Sequence, residues 1–139
     1  MRGGQTFVIN QKTRFCRITG RGMWTADDAR AHFADIELAL RPLRASRRPV
    51  IFLVDMRDAL VQSAATARAM AEGASRLHHD TDVVAVVTLT ILHALQVSAM
   101  SSVERLATFQ DMTQAMVWAR RMALRLEPAC AGPQLETAD

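Results

Sequence analysis

The chain has no tyrosine, a single lysine (Lys12) and only two cysteines in 139 residues. One lysine beside many arginines reads as genomic base composition rather than function. Cys16 lies in a strand-like stretch and Cys130 in a polar tail, so both are expected as reduced thiols in a cytoplasmic protein. There is no Gly-x-Ser-x-Gly elbow, and a serine hydrolase of that kind would lack its nucleophile. Gly20-Arg-Gly22 is too short for a phosphate loop. His78 and His79 are adjacent and followed by Asp80, but no cysteine pair or His-x-x-x-His supports them, so no metal site is expected. No motif calls for a cofactor or a catalytic residue, and a non-enzyme is expected. The opening Met1-Arg-Gly-Gly-Gln has no apolar stretch, so no signal peptide is expected. No internal repeat is present.

What is present is an ordinary globular composition, with 50% apolar and 22% charged residues. The length suits one domain able to bury its own core. A formal charge of +3 is modest. The arginines are not interleaved with aromatics that would stack on bases, so nucleic acid is not expected as a partner.

Two short apolar runs organise the chain. Pro49 to Val54 ends at Asp55, and Val83 to Val87 ends at Thr88. Runs of this kind, without polar alternation, suit strands buried on both faces. Each is flanked by helical patterns, which predicts an α/β fold with a mostly parallel sheet. Phe7–Ile9 and Arg14–Thr19, joined by the turn-forming stretch 10–13, predict an N-terminal hairpin. Thr25 can cap a helix at the amide of Asp28. Ala29, Phe33, Ile36, Leu40 and Leu43 form that helix's apolar stripe, with His32, Asp35 and Glu37 on its solvated side and Pro42 in its last turn.

Arg41, Arg44, Arg47 and Arg48 follow as a solvated cationic cluster. Ser63 is placed to cap an alanine-rich helix over residues 64–77. Residues 89–101 predict a third helix, with Ile91, Leu92, Leu95 and Ala99 on its buried face. The apolar stretch 83–100 is of marginal spanning length but is broken by Thr88, Thr90, His93 and Gln96. A strand leading into a helix explains it better than a transmembrane segment. A short strand over 106–109 precedes a fourth helix capped by Asp111, with Ala115, Trp118, Ala119 and Met122 as its buried stripe. Residues 1–5 are expected to be flexible, 6–126 to form the domain, and 127–139 to be a disordered tail.

Three stretches in this order resemble the STAS domain, and within it the divergent SpoIIAA-like branch. They are Ile18-Thr-Gly-Arg-Gly-Met-Trp-Thr-Ala-Asp-Asp28, Ile51-Phe-Leu-Val-Asp55, and Thr108-Phe-Gln-Asp-Met-Thr-Gln-Ala-Met-Val-Trp118. STAS domains include bacterial anti-sigma-factor antagonists. The resemblance implies a strand-strand-helix-strand-helix-strand-helix-strand-helix domain with four helices. It also implies a regulatory binding module that docks a protein partner.

Signalling members of the family are phosphorylated on a serine at the start of the second helix. The matching stretch here, Gln62-Ser63-Ala-Ala-Thr66, departs from their Asp-Ser-Ser-Gly pattern. The candidate docking or switch residues are Asp55, Arg57, Asp58, Ser63, Ala67 and Ala71, with the arginine cluster steering acidic partners. The branch also resembles lipid-carrier folds. The alternative is therefore a carrier or sensor of a lipophilic molecule, in a groove lined by Met56, Met70, Leu92 and Met100. A single-sheet domain of this size leaves an edge strand or an apolar helix face to cover, which makes a homodimer a candidate assembly.

Overall fold

Asn10 makes the first reversal. Its side-chain carbonyl accepts from the amides of Lys12 and Thr13, each at 3.0 Å, and folds β1 (Gly4–Asn10) back antiparallel onto β2 (Phe15–Gly22). These coordinates are a computed structural model that describes residues 3–100 and 105–126. Strand β1 begins at Gly4, so residues 4 and 5 of the expected flexible start are paired in the sheet. Residues 1–2, Cys130 and the whole expected tail lie outside the described residues.

Helix α1 (Ala26–Ala39) opens with the expected cap. Thr25 Oγ1 accepts from the amide of Asp28, and the Asp28 carboxylate accepts from the amide of Thr25. This reciprocal pair satisfies two donors that the first turn leaves open. The helix stops earlier than its apolar stripe suggests. Pro42 has no N–H and its ring cannot follow a helical turn, so the chain breaks at Leu40 and restarts as the single turn α2 (Arg41–Arg44), with proline in that turn's opening positions. The described fold therefore has five helices rather than the four expected.

The remaining elements are β3 (Ile51–Ala59), α3 (Ala64–Leu77), β4 (Val83–Val87), α4 (Ile91–Met100), β5 (Leu106–Phe109) and α5 (Met112–Leu126). Strand β3 does not end at Asp55 but continues through Asp58 to Ala59. It pairs with β2 past a bulge opposite Thr19 to Arg21. The five strands lie in the order β1-β2-β3-β4-β5, parallel from β2 onward.

Alternation along β3 and β4 sorts the core into two layers. Phe52, Val54, Met56, Val84 and Val86 face α1 and α3. Ile51, Leu53, Val83, Ala85 and Val87 face α5, which meets them with Ala115, Ala119 and Ala123. Fully burying each valine, leucine, isoleucine, methionine or phenylalanine among them contributes about 1.5–3 kcal/mol, and each alanine less.

Two glycines allow close approach on the first layer. A Cβ on Gly73 of α3 would lie 2.4 Å from the ring of Phe33, so its absence lets α3 settle on α1. A Cβ on Gly20 would lie 2.5 Å from Met56 Sδ and 3.0 Å from Trp24 Cη2. Among the described residues no helix is long and apolar enough to cross a membrane.

Candidate functional site: a cavity on one face of the sheet

On the α1/α3 side, packing is incomplete. Ile18, Val54, Met56, Val84 and Val86 form the floor of a half-open cavity of about 110 Å³. Its walls are Phe33 from α1, Met70, Ala71 and Ala74 from α3, and His93 and Val97 from α4.

Three polar atoms in this wall are buried and have no partner, Gln5 Oε1, Trp24 Nε1 and His32 Nε2; a fourth, His78 Nδ1, makes no hydrogen bond but faces Asp82. Buried polar groups are nearly always paired, because leaving one unpaired costs about 1–3 kcal/mol. Three in one apolar cavity is therefore a chemical feature of it. Trp24 is 5% exposed and His32 7% exposed. Burial lowers the pKa of His32 to about 4, against a weaker opposing pull from Asp35. Burial also lowers that of His93. Both imidazoles are thus neutral at pH 7.

The local sequence explains how Trp24 and His78 come to be there. Trp24 precedes the Thr25 cap and Ala29 is the fourth residue of α1, and both are buried, as in a hydrophobic staple. The Trp24 amide donates to Gln62 Oε1 at 3.1 Å. Its carbonyl accepts from the Thr66 hydroxyl at 3.1 Å. His78 ends α3, its ring edge-on to Phe52 with centroids 4.3 Å apart. Its Nδ1 lies 3.6 Å from Asp82 Oδ2, beyond hydrogen-bond length.

Asp82 is fully buried and is held by Arg44 through two bonds of 2.7 and 2.8 Å and by the His79 amide at 2.9 Å. Burial pushes its carboxyl up, but the Arg44, His78 and His79 contacts outweigh that and bring it down to about 2. Arg44 also donates to the Leu77 carbonyl. It therefore locks α2 to the end of α3 rather than joining a solvated cationic cluster.

The sequence-predicted residues divide between places. Met56, Met70 and Ala71 line the cavity. Leu92 does not: it is 77% exposed, and Ile91 and Leu95 are exposed beside it. The expected buried stripe of α4 is thus its outer face, and the helix instead turns His93 and Val97 inward. The side chain of Met100 lies outside the described residues. Ala67 is buried and so is not part of an outer docking face; Gly73 of α3 serves the packing of that helix on α1. His32, expected on the solvated side of α1, is buried because Phe7 and Phe33 pack edge-on against its ring.

Asp55 alternates away from the cavity with Leu53, and Arg57 turns back on it in a bidentate pair of 2.9 and 2.8 Å. That hydrogen-bonded guanidinium lowers the pKa of Asp55 despite partial burial. Asp58 is exposed near the end of β3. Ser63 is the α3 cap: Ser63 Oγ accepts from the Thr66 amide at 3.2 Å and its hydroxyl donates to Thr66 Oγ1 at 3.1 Å.

The exposed arginines Arg41 and Arg47 precede β3, whereas the loop 60–63 follows it. At ~3.3 Å per strand residue the two lie a full strand length apart, so the cluster is not near that loop.

The Cys16 thiol is fully buried, and desolvation pushes it up to about 12, away from any nucleophilic role. Among the described residues no three His, Cys, Asp or Glu side chains are grouped to hold a metal ion. Reasoning from the sequence missed Gln5, Trp24, His32 and His78 as wall residues. The one local signal was a tryptophan directly before a helix cap.

No protein-family model and no curated protein sequence matches the chain. Among solved structures it is similar to an uncharacterised protein of the DUF3478 family with a SpoIIAA-like fold, from Shewanella loihica PV-4. The two share 16% identity and a TM-score of 0.66, over 84% of this chain and 94% of that one. At that identity the likeness speaks for architecture and not for activity. The hairpin, the parallel strands and the order of the helices thus give this chain a SpoIIAA-like α/β fold.

Proposed function

We propose that this protein is a non-enzymatic binding module whose ligand is a small lipophilic molecule seated between the sheet and helices α1, α3 and α4. The observation that carries this reading is the set of three unpartnered polar atoms, Gln5 Oε1, Trp24 Nε1 and His32 Nε2, around one apolar cavity. An apolar pocket with a few convergent polar groups is the usual form of a small-molecule site. The non-enzymatic part is supported by the lack of a plausible nucleophile among the candidates: Cys16 is buried and held protonated, and Ser63 is engaged as a helix cap. The buried free thiol also fits the cytoplasm as the proposed setting.

Native mass spectrometry of the freshly purified chain, beside the same sample denatured, tests the reading. A discrete non-covalent adduct is expected, and it should be lost when Ala71→Trp fills the cavity. An adduct unchanged in the filled variant would place the ligand elsewhere and refute the site.

A second reading, docking of a protein partner, is favoured by a separate observation. Leu60 and Val61 after β3, and Leu89, Ile91 and Leu92 after β4, are all more than half exposed. They follow the carboxyl ends of adjacent parallel strands, and apolar surface of this kind marks interaction sites. This moves the docking idea from the face of α3 to the rim that begins beside Ser63. The triple variant Leu60→Ser, Val61→Ser, Leu92→Ser should lose the partner captured by crosslinking in the native host. Retention of the same partner would sink the docking reading, and loss of a self-crosslink alone would identify a second copy as the occupant.

A further inference from the structure

We infer that the cavity selects a neutral, single-ring molecule carrying one hydroxyl group, of the phenol class, over both a bare hydrocarbon and a charged amphiphile. This rests on the ligand-binding reading above and names its chemistry.

Size is the first constraint. The cavity encloses about 110 Å³, somewhat below the ~150 Å³ of an engineered cavity that takes benzene. This one is half open, so a single ring fits with its edge at the mouth, whereas a long acyl chain would have most of its length outside. The walls suit a ring: the aromatic faces and edges of Trp24, His32 and Phe33 surround it, with Met56 and Met70 as adaptable filler.

Charge is the second constraint. No lysine, arginine, aspartate or glutamate lines the cavity among the described residues. The titratable side chains in the wall are His32, His78 and His93, and burial keeps His32 and His93 neutral at pH 7. A carboxylate entering this wall would lose its hydration without gaining a cation, which is strongly unfavourable.

The third constraint is the sense of the free hydrogen bonds. Trp24 Nε1–H can only donate, and Gln5 Oε1 can only accept. The two belong to one rim: Gln5 pairs across the hairpin with Gly20, whose missing Cβ would sit 3.0 Å from the Trp24 ring. A hydroxyl both accepts and donates, so it matches the sense of either atom. His32 Nε2 offers a further partner of either sense. An apolar ring without that group would leave buried polar atoms unpaired, and sites built to bond a hydroxyl discriminate strongly against analogues lacking it.

The test is a titration of the full-length chain at pH 7, followed by amide chemical-shift changes, with toluene, phenol and benzoate as probes. Phenol is expected to perturb residues around Trp24, His32 and Met70 and to bind about tenfold more tightly than toluene. Benzoate is expected to leave them unmoved. Trp24→Phe and Gln5→Leu should each bring phenol close to toluene while toluene binding is kept, which also reports that the variants are folded. If toluene binds as well as phenol, water serves the polar atoms; the selectivity is then wrong while the cavity reading stands. Benzoate binding above phenol would overturn the neutral assignment. If no probe perturbs the cavity residues, the ligand-binding reading fails, and this inference with it.

Discussion

The two faces of the central sheet are built from the same strands and finish differently. On the α5 face, Ala115, Ala119 and Ala123 are buried against Leu53, Val83, Ala85 and Val87. A single helix with a small-residue stripe lies flat on alternating aliphatics and leaves no unpaired buried polar atom there among the described residues. On the other face, three helices, α1, α3 and α4, border the cavity. One is shortened by Pro42 and another turns its leucines to solvent, and a half-open cavity remains above the buried aliphatic floor. One layer is a closed core and the other keeps a cavity. The contrast shows that strand composition does not decide which face keeps a cavity; the fit of the covering helices does.

The largest expected effect tests the clamp that holds the cavity face together. Arg44→Leu leaves Asp82, which is fully buried, without its cation. Removing one partner of such a pair costs about 3–5 kcal/mol, to be read as a drop in the urea midpoint at pH 7. A loss below about 1 kcal/mol would show that the pair is better solvated than its burial implies.

Next comes pH, because the buried histidines His32 and His93 both belong to the cavity face. Burial lowers His32 from 6.5 to about 4 in the folded chain. The unfolded state therefore binds more protons between these values. The contribution is fully present above pH 6.5 and is lost as pH falls toward 4, amounting to about 3 kcal/mol. His93 acts in the same direction. Asp82 adds a further loss between its unfolded value of 3.8 and about 2. Denaturation curves across pH 4 to 7 should show this slope, and His32→Leu should flatten it. An unchanged slope in that variant would assign the dependence to other groups.

A matched pair of substitutions then compares the faces directly. Ala119→Leu overpacks the finished layer and should cost about 1–3 kcal/mol. Ala71→Leu projects into the cavity and should be near neutral or stabilising by up to about 1 kcal/mol. Equal losses at the two positions, measured by thermal unfolding, would mean that the cavity has no room to accept a side chain. The smallest effect is at Ser63. Ser63→Ala removes the acceptor for the Thr66 amide and should lower stability by about 1 kcal/mol. A loss of partner binding with no loss of stability would instead mark Ser63 as a contact residue.

Much of this was legible in the chain because it depends on neighbours. The strands seeded by the apolar runs at 51–54 and 83–87, the Thr25–Asp28 cap and the Ser63 cap are local patterns and each forms, although β3 runs on to Ala59. Of the expected α5 stripe, Ala115 and Ala119 are buried while Trp118 and Met122 are half-buried. Errors arose where local logic met a distant partner. The leucines of α4 look buried by spacing, yet that helix docks through His93 and Val97. His32 looks solvated by its position on α1, yet Phe7 from β1 and Phe33 enclose it. Arg44 looks like one of a surface cluster, yet Asp82, 38 residues later, claims it.

The amino-acid sequence by itself determined the order of elements, their caps, the parallel sheet and which strands are central, because hydrophobic period and capping chemistry act over a few residues. Only the tertiary structure decided that Gln5, Trp24, His32 and His78, far apart along the chain, share one cavity wall. It also decided that Met56 points into this cavity while its neighbour Asp55 points away. The physical reason is that a site is set by the gaps between packed elements. Those gaps depend on helix lengths, crossing positions and missing Cβ atoms such as that of Gly73, none of which a hydrophobic pattern encodes.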